Sequence, residues 1–121
     1  QEEAEQIAKA KFNDMNIGII SHSTQRYDAI SSTIEKKSPH ISRDDIQKLL
    51  STHHPNGLCN HYYDDGFGTL WSVIFDATEG EMEACFGAPS HNEYRNFGLE
   101  DTVGIREYLA AAPVSDDRLP I

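Results

Sequence analysis

The chain has 121 residues, 38% of them hydrophobic and 25% charged, with a formal net charge of −10. That is enough for a single core, because a compact chain of this size buries roughly two-thirds of its unfolded surface. No run approaches the ~20 apolar residues of a membrane span. The basic residues are scattered, with only Lys36-Lys37 adjacent, which argues against a nucleic-acid partner, since that needs clustered Lys and Arg.

The opening Gln1-Glu2-Glu3-Ala4-Glu5 lacks the basic start and apolar core of a secretory signal. Cys59 and Cys85 are therefore expected as reduced thiols of a cytoplasmic protein, not as a disulfide scaffold. Gln-Glu-Glu resembles the interior of an amphipathic helix, so further chain is expected before Gln1. Ala4, Ile7, Ala8 and Phe12 fall at helical spacing and predict a helix over Glu2–Lys11. Asn16–Ser21 is too short to type. A second helix is predicted from Ser23 or Thr24, carrying Tyr27, Ile30 and Ile34 and ending at Lys36-Lys37 before Ser38-Pro39.

A third helix is marked more sharply. Ser42 stands three residues before Asp45, a capping-box spacing with Asp for the usual Glu, and Ile41 and Ile46 take the staple positions. This helix should end near His53. Thr69–Asp76 is the most strand-like stretch, with Trp71, Val73 and Phe75 on one face and Leu70 and Ile74 on the other. A strand apolar on both faces belongs inside a layered structure. Ala77-Thr78-Glu79-Gly80 then predicts a turn with Gly80 at positive φ, and Glu81–Gly87 a return strand nearer a sheet edge or with one wetter face. Glu93–Leu99 reads as irregular, Ile105, Tyr108 and Leu109 as a short helix, and Val114–Ile121 as a tail.

Three groups of residues are candidates for chemistry. His53, His54, Cys59 and His61 could in principle ligate zinc, but their spacing matches no ligand pattern, so loop histidines beside a buried thiol are the preferred reading. Cys59 could act as a nucleophile with His61 or His40 as base and Asp64 or Asp65 orienting it. Residues at i and i+2 seldom meet productively, and a free Cys is usually a small core residue. Arg26 falls in a predicted first helical turn, where the dipole disfavours a cation, and reads as a surface residue paired with Asp28 or Glu35. Glu93 and Arg95 read as an ion pair.

Gly57-Leu58-Cys59-Asn60-His61, then Gly68-Thr69-Leu70-Trp71-Ser72-Val73-Ile74-Phe75-Asp76, then Cys85-Phe86-Gly87-Ala88-Pro89 resembles one group of enzymes. These are the C-terminal motifs of N-terminal-nucleophile (Ntn) amidohydrolases of the choloylglycine hydrolase and penicillin acyltransferase type. The similarity runs from about Ser21 to Leu99. It implies an α+β chain, the C-terminal portion of a four-layer αββα fold, with helices followed by an antiparallel hairpin. Residues 1–121 would then be one segment of that domain. The resemblance also implies hydrolysis or acyl transfer at a linear amide by an N-terminal Cys whose own amine is the base. Ser23-Thr24-Gln25-Arg26 matches a family arginine at the start of a helix, so Arg26 is implied as the substrate-binding residue.

Gln1 is no nucleophile, and the family's early Arg/Asp pair and oxyanion-hole Asn lie upstream of what this chain contains. No catalytic residue, metal ligand or cofactor is therefore expected within it. The implied partners are a small-molecule amide substrate and a missing N-terminal segment, with neither nucleic acid nor membrane. Unpaired sheet edges would favour a homo-oligomer. The rival reading is a non-catalytic acidic binding or interaction module.

Overall fold

The computed structural model describes residues 2–98 and 107–114 and, within residues 11–17, the backbone alone. Helix α1 (Glu2–Lys37) is continuous over 36 residues, where the sequence predicted two helices and an untyped gap. No proline interrupts it, and Gly18 costs only about 1 kcal/mol relative to Ala inside a helix. Ser23 and Thr24, expected as caps, are interior. Thr24 Oγ1 donates to the Ile20 carbonyl at 2.9 Å, the back-bond of a mid-helix threonine. Among the described side chains of α1 only His22 is buried, while Ile7, Ile20, Tyr27 and Ile34 are exposed.

Ser42 caps α2 (Arg43–Ser51) as expected. Its hydroxyl accepts from Asp45 N at 3.1 Å, and Ser42 N donates to Asp45 Oδ2 at 3.0 Å. That backbone bond, with the hydroxyl's help, holds the Asp45 carboxyl below its usual range. The helix stops at Ser51, two residues before the predicted end.

A two-stranded ladder follows, β1 (His61–Tyr62) against β2 (Phe67–Gly68), antiparallel around a 3₁₀ turn at Tyr63–Asp65. Then β3 (Trp71–Asp76), β4 (Glu81–Phe86) and β5 (Tyr94–Gly98) form an antiparallel sheet in that order. The hairpin is the one predicted, with Gly80 at φ 68°. β5 is a correction, because the stretch read as irregular pairs with β4 through Met82↔Phe97 and Cys85↔Tyr94. That partner makes β4 the central strand instead of an edge, and leaves β3 at the edge of the described sheet.

The register puts Trp71, Val73, Phe75, Met82, Ala84, Phe86 and Phe97 on one face, and Ser72, Ile74, Asp76, Glu83, Cys85 and Tyr94 on the other. Helix α2 lies against the second face through polar contacts. Arg43 reaches Asp76 at 2.9 Å and Glu83 at 3.3 Å, and Gln47 Nε2 donates to Glu83 Oε2 at 3.1 Å. The first face is open, with Trp71 66% and Phe75 75% exposed. The sequence expected β3 to be buried on both sides, but nothing among the described residues covers those two rings.

Farther along that face Tyr108 stacks on Phe86 with centroids 4.7 Å apart, and the Arg95 guanidinium lies 5.0 Å over the Tyr108 ring. Among the described residues Arg95 therefore packs on an aromatic ring and forms no ion pair with Glu93. Asn92 holds the same segment, donating to Ala111 O at 2.8 Å and accepting from Ala111 N at 2.7 Å. Residues 107–114 have no regular structure, so Tyr108 and Leu109 are not helical. Ile105 and the predicted tail beyond Val114 lie outside the described residues. Among the described residues the buried apolar core is small: Cys59, Tyr62, Ala84, Cys85 and Ala88. The architecture is α+β with antiparallel sheets.

Candidate functional site

Arg26 lies well inside α1, not in a first turn, so the dipole gives no reason to disfavour it. Among the described residues it forms no ion pair with Asp28 or Glu35. It stands on the wall of a groove of about 480 Å³ beside β3, whose other lining residues include Leu58, Asn60, Leu70, Trp71 and Phe75. Arg26 is the cation of this lining, beside the polar Asn60, Thr69 and Ser72 and the apolar Leu58, Leu70, Trp71 and Phe75. Such a surface suits a ligand with one polar head and an apolar body.

Asn60 is rigidly held. His22 Nε2–H donates to its Oδ1 at 2.9 Å, and Asn60 N donates to Thr69 Oγ1 at 2.9 Å. The first bond also docks α1, because His22 is four residues before Arg26 and so on the same helical face. The His22 ring stacks on His54 at 3.9 Å, and His54 Nδ1 lies 3.2 Å from the Tyr62 hydroxyl. Burial, followed by the charges of His22, His53 and Arg26, lowers the His54 pKa to about 4.

Next to this lies a second polar cluster. Cys59 Sγ is 3.2 Å from His61 Nε2, which is 2.7 Å from Ser90 Oγ, and Ser90 Oγ is 2.8 Å from His91 Nδ1. The sequence reading set aside an encounter between residues 59 and 61. In extended backbone, however, alternate side chains point the same way, and here both turn inward. Cys59 itself is 0% exposed, which closes the thiol to a substrate. Among the described residues no group of three His, Cys, Asp or Glu is arranged to hold a metal ion. Cys85 is also buried and unbridged, and burial pushes its thiol up.

His22, Asn60 and Ser90 were not singled out from sequence. The available signals were the i, i+4 spacing of His22 and Arg26 and the Gly87-Ala88-Pro89 turn that presents Ser90. Residues 4–91, from α1 to that turn, match the family model described as acyl-coenzyme A:6-aminopenicillanic acid acyl-transferase. The chain belongs to this family. The acyl-transferase match begins earlier than the Ser21–Leu99 similarity read from the motifs and takes in every described element except β5. No curated protein and no solved structure matches the chain. No helix among the described residues is long and apolar enough to cross a membrane.

Proposed function

We propose that this chain is the scaffold half of an Ntn-type amide hydrolase or acyltransferase, and that Arg26 binds the polar end of its substrate. The carrying observation is the groove beside β3, whose lining combines Arg26 with Leu58, Leu70, Trp71 and Phe75. A linear amide with an apolar acyl group and a carboxylate or carbonyl head would place its head on the guanidinium and its chain on the aromatic wall. The nucleophile in this reading comes from chain outside these 121 residues. Both thiols here are buried, and the uncovered face of Trp71 and Phe75 asks for another layer, as in a four-layer αββα sandwich. Two unbridged thiols also suit a cytoplasmic protein.

The test is turnover of penicillin V, a bile-salt conjugate and an N-acyl amino acid by the full-length protein and by its Arg26→Ala variant. The substitution should lower turnover by about an order of magnitude or more, as loss of a charged contact worth ~1.5–3 kcal/mol implies. Folding should stay intact, and unchanged kinetics would return Arg26 to the protein surface. The isolated chain should turn over none of the three. Exposed Leu70, Trp71 and Phe75 would equally serve a non-catalytic interaction module, and absence of turnover by the full-length protein would favour that reading.

A further inference from the structure

The Ser90 cluster is separate from the groove, and neither Arg26 nor its apolar wall takes part in it. Its geometry has a direction. His61 and Cys59 are buried, whereas Ser90 is exposed at the tip of a turn. The turn is built to hold it there, since His91 N donates to Ala88 O at 3.0 Å and Asn92 Nδ2 donates to the same carbonyl at 3.0 Å. Ala88 and Pro89 are buried beneath. The hydroxyl stands 2.7 Å from one imidazole nitrogen and 2.8 Å from another.

A serine hydroxyl has one proton to donate and lone pairs to accept with. Between His61 Nε2 and His91 Nδ1 it can donate to one ring and accept from the other, and when it donates to His61 and accepts from His91 the unprotonated His61 Nε2 is the base at hydrogen-bond distance. The inner base is His61, within the ~2.6–3.2 Å that proton abstraction requires. Cys59 Sγ, at 3.2 Å from the same Nε2 and 3.7 Å from Ser90 Oγ, adds a polarisable neighbour to the imidazole while remaining closed to solvent. An exposed hydroxyl backed by a buried imidazole is the arrangement of an activated nucleophile.

We propose that Ser90 is an acyl-accepting nucleophile with His61 as its general base, taking acyl groups from activated esters or thioesters. Ser90 Oγ attacks the acyl carbonyl carbon while its proton passes to His61 Nε2. The tetrahedral adduct collapses, the C–O or C–S bond to the leaving group breaks, and His61 returns the proton to that alcohol or thiol. The products are O-acyl-Ser90 and the free alcohol or thiol, with no change in oxidation state. This goes beyond the Arg26 groove and does not depend on it.

The test treats the chain with p-nitrophenyl acetate near neutral pH and reads intact mass and peptide maps. A single acetyl group on Ser90 is expected, absent in Ser90→Ala. Its rate of appearance should fall ~100-fold or more in His61→Gln, as loss of a positioned base implies. Cys59→Ser should keep the Ser90 adduct. The wild-type reaction repeated in denaturant guards against a misfolded variant, and Ser90 labelling should collapse there with the cluster. An adduct on another residue, labelling as fast in denaturant as in buffer, or an unchanged rate in folded His61→Gln would each overturn the proposal.

Discussion

His54 links the docking of α1 to pH. Its ring lies buried between the stacked His22 imidazole and Tyr62, and among the described residues its Nε2 has no hydrogen-bond partner. An imidazolium there would carry two N–H donors with one acceptor in reach, beside the charge of Arg26. The folded pKa of about 4 against an ordinary 6.5 follows from that burial first and from the neighbouring charges second. Because the folded state holds the proton less tightly, the unfolded chain takes it up first as pH falls. Stability associated with His54 is therefore complete above about pH 6.5 and is lost between there and pH 4. At ~1.4 kcal/mol per pKa unit the full loss is about 3 kcal/mol, and about 2 kcal/mol of it falls between pH 7.5 and pH 5. The assay is denaturant unfolding at those two pH values for wild type and His54→Phe, which keeps the ring and removes the titration. The wild type should lose about 2 kcal/mol more than the variant, and equal losses would refute the reasoning.

Two further substitutions test the local structure. Gly57→Ala would bring a Cβ to 2.3 Å from Thr52 O and 2.8 Å from Leu49 O, whereas Gly66→Ala meets nothing within 4 Å but must hold φ at 73°. Thermal unfolding should rank them, with Gly57→Ala costing about 1–3 kcal/mol or more because backbone must move, and Gly66→Ala about 1 kcal/mol. A smaller loss at Gly57 than at Gly66 would contradict the packing described for residues 49–57. Ser42→Ala should cost about 1 kcal/mol in the same measurement, since it removes the hydroxyl that accepts from Asp45 N and leaves only the Ser42 N–H to Asp45 half of the capping box. No change in the unfolding midpoint would mean the cap contributes nothing to α2.

Acyl-transferase membership, the β3–β4 hairpin with its turn at Gly80 and the capping box at Ser42 were legible in the residues themselves. The turn and the cap rest on contacts within a few positions, where spacing and residue type decide the outcome. Alternation assigned the faces of Trp71, Val73 and Phe75 correctly for the same reason. Continuity of α1 through Gly18 was not legible, because a ~1 kcal/mol local penalty yields to a ladder extending on both sides. β5 exists only through β4, so no local pattern in Tyr94–Gly98 announced it.

The sites divide the same way. Arg26 could be named from a motif, but its groove is made by α1, α2 and β3 together. The meeting of Cys59, His61, Ser90 and His91 joins chain positions 31 residues apart, a distance that sequence spacing does not encode. Only packing brought those side chains together, and only packing left Trp71 and Phe75 uncovered by the described residues. Local hydrogen-bond chemistry determined the pieces, and long-range burial decided which of their side chains could act on one another.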